Sequence, residues 1–553
     1  MNKMLFLLNL LKKLWKMTKY CKLISLIVFC VISWGFADTP DYNKTNIDVV
    51  HYTIKLKLLP ETKIIEGNVD ISFVLKKPAK TASFDFYDNM TINSVTLDKF
   101  DADYKRNNNK IIVSLHEKCD TDDTLSLRIN YRGTPQKEGL SGFVFGKING
   151  QSLVYNLSEP SYASTWFPCN DVAADKALMD IYLTSDSVYT SVSNGRLMEV
   201  TDSGAEKTYH WKTFYPISTY LICLYSSIYQ NFNDYYVSQD KKDTMAVQYY
   251  VIPGHLDNAK KDFEDHPDMI DTYSKLFGEY PFIKEKYGVA EFLWQFGAME
   301  HQTITGIGSN FVSGNKYFND VYAHELSHHW WGDAIAPGTW NDIWLNEGFA
   351  TYSEALYLEY KHGSSSLRSF MLSKFSKYFP GVLYKPGSDL FSQTEYDKGG
   401  WVLHMLRWEV GDSAFFKILR TYFETFKYKA AVTNDFKEIC EKISGKDLTK
   451  FFDQWVYSGE GEINLTADWK QKETGVGYKL EFDFQQTQKE YDVYSFTLPL
   501  KVFYEDGTSE YLKTYIDKRK MSASFMLPKK AEKVLYDPQN WILLNLSNNK
   551  NNK

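Results

Sequence analysis

Cysteine is scarce in this chain: six among 553 residues, with no CxxC pair. Cys21 and Cys30 fall in an apolar N-terminal stretch, and Cys119, Cys169, Cys223 and Cys440 are too few and too widely spaced to be a disulfide framework. The spacing leaves open whether any two of them pair. The excess of negative over positive charge is small as well. A formal net charge of -6, with no dense basic tract beyond the N-terminal region, argues against nucleic acid as a main partner. The apolar stretch LISLIVFCVISWGFA, residues 23–37, has fifteen residues where a membrane-spanning helix needs roughly twenty. No internal repeat appears, which leaves out solenoid architectures.

The apolar stretch has the form of a secretory leader. Lysines at 12, 13, 16, 19 and 22 precede it, and Gly35, Phe36 and Ala37 make a cleavage site before Asp38. Residues 1–37 are therefore expected to be a signal peptide on an exported protein, whether secreted, periplasmic or at the cell surface. Retention of the leader as an anchor is the alternative; after cleavage no stable membrane span is expected. Phe29 before Cys30 is too bulky for a lipoprotein site.

The length suits about three domains, and the 16% aromatic content, mostly Tyr and Phe, suits β-rich ones. Residues 38–235 read as an N-terminal β-domain: Tyr52, Ile54, Leu56 and Leu58 alternate with polar residues, as do Val69, Ile71, Phe73 and Leu75. Within it SEPSYASTWFPCND, residues 158–171, breaks the alternation and carries Glu159, which taken alone reads as a solvated loop residue. Residues 236–460 read as a mainly helical domain: near residue 255 the period becomes helical and stays so to about Tyr457, except for residues 288–308, which read as strand, turn and strand with Glu300 at the edge of a cleft. Residues 461–547 return to alternation, with Asp506 and Gly507 at a hairpin turn, and predict a β-sandwich; residues 548–553 are a polar tail. The fold class is multidomain α+β.

The densest chemistry is in VYAHELSHHWWGD, residues 321–333, and WLNEGFATYSE, residues 344–354. His324 and His328 are four positions apart, which on a helix puts both imidazoles on one face with Glu325 beside them. That is the HExxH pattern of a zinc protease, and Glu347, nineteen residues after His328, is the expected third ligand. Asn346 is expected to open the second helix, and Glu354, two turns after Glu347, to brace a ligand. Trp330, Trp331, Trp340 and Trp344 predict a packed core around the site.

Together these motifs resemble the aminopeptidase N family of zinc exopeptidases, whose catalytic domain is thermolysin-like, as residues 236–460 are then expected to be. GAMEH matches its exopeptidase motif, YDKGGWVLHML the segment of its catalytic tyrosine, SEPSYASTWFPCND a stretch of its β-domain, and DFKEICEKISGKDLTKFFDQWVYSGEGEINL its passage out of the catalytic domain. The resemblance covers nearly all of the mature chain. It implies one zinc ion on His324, His328 and Glu347, with Glu325 as general base and acid. It implies that Glu300 in the Gly297, Ala298 and Met299 motif binds the free α-amine, that Glu159 assists it, and that Tyr396 stabilises the oxyanion. Substrates would then be peptides with a free N-terminus.

Two departures stand out. His301 occupies the usual Asn position of the exopeptidase motif, which bears on local hydrogen bonding and on substrate preference. The long helical C-terminal domain of many relatives has no counterpart, so an open cleft is expected. His301 and His329 read as structural. Tyr162, Phe296 and Met299 suggest an apolar pocket for a neutral or hydrophobic first residue. A zinc endopeptidase and an inactive peptide-binding protein on the same scaffold are the competing readings; a dual hydrolase like the leukotriene-converting relative has no support in the sequence.

Overall fold

A computed structural model describes residues 45–547, apart from 122, 140, 149, 295 and 296. The expected leader at 1–37, the tail at 548–553 and the pocket residue Phe296 lie outside the described residues. The alternation of the N-terminal region becomes sheet. In Ile47–Leu59, Tyr52, Ile54, Leu56 and Leu58 are buried while their polar neighbours face outward, as a strand with one packed face requires. This strand is central in an eight-stranded sheet, paired with Ile64–Leu75 on one side and Leu178–Asp186 on the other. The sheet is not wholly antiparallel: Ile47–Leu59 and Leu178–Asp186 run parallel, made possible by the long excursion of chain between them.

A second sheet of five strands contains Ser141–Ile148 and Gln151–Leu157. The latter strand is buried from Ser152 onward and delivers the 158–171 loop, Glu159 included, to the neighbouring domain. Strand Gln230–Val237 spans residue 235, the expected domain limit, and pairs with Thr244–Val251 in the sheet of the helical region. There Thr244–Val251, Tyr287–Phe292 and Thr305–Gly308 run parallel, and the two-residue strand Ala298–Met299 closes the edge antiparallel to Thr305–Gly308.

The helical stretch that opens this region is two helices, Leu256–Asp262 and His266–Phe277. The second has Pro267 in its first turn, where the missing N–H has no helical partner to lose. Helix Trp344–His362 begins two residues before the expected Asn346 cap. A 3-10 turn at Trp340–Asp342 runs straight into it, and Asn346 N donates to the Ile343 carbonyl, placing Asn346 inside the first turn. The four tryptophans flanking the zinc motifs are buried.

Residues 463–547 form the β-sandwich, a four-stranded sheet around Ile463–Thr474 and Gly477–Gln486 facing a three-stranded one around Phe496–Tyr504. The Phe496–Tyr504 and Ser509–Ile516 hairpin turns at Asp506 and Gly507, with Gly507 at φ +79° as such a turn demands. One continuous core runs from the catalytic helices into this sandwich, while the core of the N-terminal β-domain extends to Ala290, Phe292, Met299, Ile304, Trp340 and Ile343 of the catalytic region. Cys169, Cys223 and Cys440 are buried free thiols. Among the described residues no helix is long and apolar enough to cross a membrane.

Candidate active site

Helix Asn319–Ser327 carries His324 and Glu325, and His328 caps its C-terminal end. The next helix, Trp344–His362, passes alongside with Glu347 in its first turn. Nε2 of His324 and Nε2 of His328 each lie 3.4 Å from the same oxygen, Oε2 of Glu347. The other ring nitrogens are committed elsewhere. Nδ1 of His328 donates to the Trp331 carbonyl at 3.0 Å, and Nδ1 of His324 lies 2.8 Å from Oε1 of Glu354. With each Nδ1 proton so engaged, both Nε2 lone pairs are free and point at Glu347.

Two imidazoles and a carboxylate converging on one point are the donor set of a zinc site with open positions, and the residues fit that ion. The electrostatics agree. Burial opposes protonation of His324, yet Glu347 and Glu354 raise its pKa to about 9. Burial likewise raises Glu347, but the imidazole of His328 and then that of His324 hold it at about 2. The pocket takes up positive charge, which a divalent ion supplies without protonating its own ligands. Burial pushes the Glu325 carboxyl up to about 8.

Tyr396 sits in a single π-turn, Thr394–Lys398, that feeds helix Gly399–Val410. Its ring lies parallel to that of His324, 15° between planes and 5.8 Å between centroids. Glycine makes the approach possible: a Cβ on Gly348 would stand 2.8 Å from Cα of Gly399, and a Cβ on Gly399 equally close to Cα of Gly348. The two zinc-motif helices and the tyrosine turn are thus one packed unit.

The remaining acids arrive from other elements. Glu300 follows the edge strand Ala298–Met299, is 4% exposed, and leaves Oε1 without a hydrogen-bond partner. Gly297 packs so closely on Trp294 that a Cβ there would stand 2.3 Å from the indole, and Met299 is buried behind the strand. Glu159 comes from the N-terminal β-domain. Ser141 Oγ donates to its carbonyl and Trp340 Nε1 to Ser161 Oγ, so both domains hold its loop. One carboxylate oxygen each of Glu159, Glu300 and Glu347 lies within 4.8 Å of the others. Burial, then Glu300 and Glu347, raises Glu159 well above the usual carboxylate range.

His301 and His329 stay out of the ligand set. Nδ1 of His301 meets the Tyr225 hydroxyl at 2.6 Å, and Nδ1 of His329 meets that of Tyr280 at 2.8 Å. Burial lowers both, His301 to about 3. Of the pocket residues, Tyr162 is half-buried and Met299 fully so.

Sequence reasoning missed a clamp behind Glu300. Thr303 is a β-branched residue held at φ +67°, a left-handed conformation it rarely adopts. Its Oγ1 accepts from Gly195 N at 2.8 Å and from the buried Lys286 ammonium at 3.2 Å. Lys286 also donates to the Ser193 carbonyl, and Asn194 Nδ2 to the Gln302 carbonyl, at 2.9 and 2.7 Å. The turn after Glu300 is therefore fastened to the N-terminal domain. Burial lowers the Lys286 ammonium to about 7. A second tie, from the half-buried Lys176 to the Asp333 carbonyl, holds the turn after His328. Nothing in the sequence distinguishes these lysines from solvated ones.

The Peptidase M1 N-terminal domain matches residues 49–221 of the chain, and the Peptidase family M1 domain matches residues 262–380 and 384–455. Glutamyl aminopeptidase of Rattus norvegicus is 26% identical over 523 residues, 86% of this chain and 53% of that one. Probable aminopeptidase 2 of Sulfurisphaera tokodaii is 26% identical over 354 residues, 60% of this chain and 44% of that one. The crystal structure of a Glu-to-Ala mutant of an M1 zinc metallopeptidase from Deinococcus radiodurans superposes with a TM-score of 0.65 at 25% identity, covering 74% of this chain and 94% of the other. The chain spans about half the length of these two curated relatives.

Proposed function

This chain belongs to peptidase family M1, and from that premise we propose that it is a zinc-dependent aminopeptidase, releasing N-terminal residues from peptides. The observation that carries the proposal is the pair Glu159 and Glu300 set against Glu347. Two carboxylates beside the metal ligands, Glu300 buried and Glu159 half-buried, are placed to take an ammonium group, and a substrate without a free α-amine offers them nothing to pair with.

His324, His328 and Glu347 would hold a zinc ion, which would supply Lewis-acid chemistry there, the acidification of a water and the polarisation of the scissile carbonyl. Glu325, beside His324, receives the proton of the attacking water on its carboxylate and returns it to the leaving nitrogen, so the group ends as it began. Tyr396 directs its hydroxyl proton to the carbonyl oxygen as negative charge develops there, the point at which a donor lowers the barrier most. Glu300 and Glu159 anchor the α-ammonium, which fixes how far the scissile bond lies from the chain terminus. Glu354 and the Trp331 carbonyl hold the two imidazoles in the tautomer that presents Nε2. Half-buried Tyr162 and buried Met299 favour neutral or hydrophobic first residues. The leader-like residues 1–37 support export, which N-terminal sequencing of the protein from its own cells tests.

The function is tested with a leucyl coumarylamide, free and N-acetylated. Cleavage of the free amine alone, lost on chelation and restored by zinc, is expected. Equal cleavage of both would make the protein an endopeptidase, and no cleavage across a panel of first residues would leave a binding protein.

A further inference from the structure

Two ligand sets meet at Glu347. One is the zinc triad; the other is all oxygen, with Glu159, Glu300 and Glu347 each offering a carboxylate oxygen within 4.8 Å of the other two. Glu300 is 4% exposed, and its Oε1, like Oε1 of Glu159, is out of solvent and without a hydrogen-bond partner. Buried carboxylates in this state cost stability on two counts, lost hydration and mutual repulsion. Burial and the neighbouring acids raise both groups above the usual carboxylate range.

An α-ammonium relieves this in part. With the charge of zinc set against Glu347 and Glu325, the carboxylates of Glu159 and Glu300 still carry two negative charges between them. An ammonium cancels one of these; a divalent cation cancels both. The geometry also suits an ion. Oxygens no more than 4.8 Å apart can share one cation at metal–oxygen distances of about 2.3–2.6 Å. A set made only of carboxylates favours hard ions such as calcium, magnesium and manganese over those that prefer imidazole or thiolate.

We propose that Glu159, Glu300 and Glu347 form a second divalent-cation site, filled in competition with the α-amine of the substrate, so that a hard divalent ion inhibits the enzyme by occupying its amine-binding carboxylates. The inference rests on the amine-binding role given to Glu159 and Glu300 above. Glu347 becomes a shared ligand, so the second ion sits beside zinc without displacing it. Inhibition is then of the kind that more substrate overcomes: KM rises and kcat holds.

Manganese is the probe, because electron paramagnetic resonance separates its bound from its free form. The full chain, loaded with one zinc ion, is titrated with manganese chloride while its zinc content is followed. One bound manganese per chain is expected, with zinc retained. Leucinamide should displace it and N-acetyl-leucinamide should not, and Glu159→Gln and Glu300→Gln should each weaken it by about tenfold or more. No bound manganese at millimolar concentration, or manganese that replaces zinc, overturns the proposal. So does manganese indifferent to leucinamide or to both Gln variants. Cleavage of the free leucyl coumarylamide alone, with no manganese bound, sinks this site and leaves the amine-binding role standing. Equal cleavage of the acetylated substrate sinks that role, and the competition with it.

Discussion

The metal half of the site and its amine half are built differently. His324, Glu325, His328, Glu347 and Glu354 come from two consecutive helices packed in one core, and Tyr396 comes from a turn that touches the second helix through Gly348 and Gly399. Glu159 and Glu300 come from a loop of one domain and the edge strand of another, and a strained threonine, two lysines and an asparagine bind those domains together. In the proposed function, the metal chemistry is thus held by local packing, whereas the choice of free termini depends on how two domains meet. Damage to the first half should show in kcat and zinc content, and damage to the second in KM and in discrimination against blocked termini.

The largest effect should come from Glu325→Gln. Loss of the acid and base lowers kcat by about a thousandfold or more, while zinc content and leucinamide binding, measured by calorimetry, remain. Glu354→Gln comes next. It replaces the charged acceptor of the His324 Nδ1 proton with a neutral amide and should weaken zinc by about 10-fold or more in a chelator titration, with the preference for free over acetylated substrate unchanged. On the amine side, Thr303→Val removes the oxygen that accepts from Gly195 and Lys286. It should raise KM by roughly three- to tenfold with zinc and kcat held, and Thr303→Ser, which keeps that oxygen, should restore KM.

The smallest effect concerns the sheet that carries the amine half. His255 Nδ1 lies 2.6 Å from the buried Glu291 carboxylate on strand Tyr287–Phe292, and that bond raises the His255 pKa above its ordinary 6.5. Its folded-state value exceeds its unfolded one. The stabilisation is therefore full below pH 6.5 and fades as pH climbs through the raised value. Thermal melts of wild type should lose a small increment between pH 6 and 9 that His255→Gln does not show.

The same division explains what could be read from the residues. The metal half is legible because its signals are local: helical spacing sets His324 against His328, and the following helix brings Glu347. The three-part β, helical and β architecture is legible because one hydrophobic period dominates each part, the strands of residues 288–308 apart. The amine half is not. Glu159 looks like any loop carboxylate until the chain has folded across more than a hundred residues, and only family resemblance marks it. Lys286 and Lys176 carry the residue type most often solvated, so the burial of Lys286 and the inward tie of Lys176 leave no trace in the sequence. Thr303 gives no warning of its left-handed backbone. Asn346 misled for the opposite reason: a good cap residue is overruled when the preceding turn runs straight into the helix.

The measurement that bears most directly on this division is the ratio of kcat/KM for free and N-acetylated leucyl coumarylamide in Glu300→Gln, with zinc counted in the same preparation. The account expects one zinc per chain and a ratio that collapses towards that of an enzyme blind to the terminus. A ratio equal to that of wild type, or a collapse accompanied by loss of zinc, would contradict the separation of the two halves.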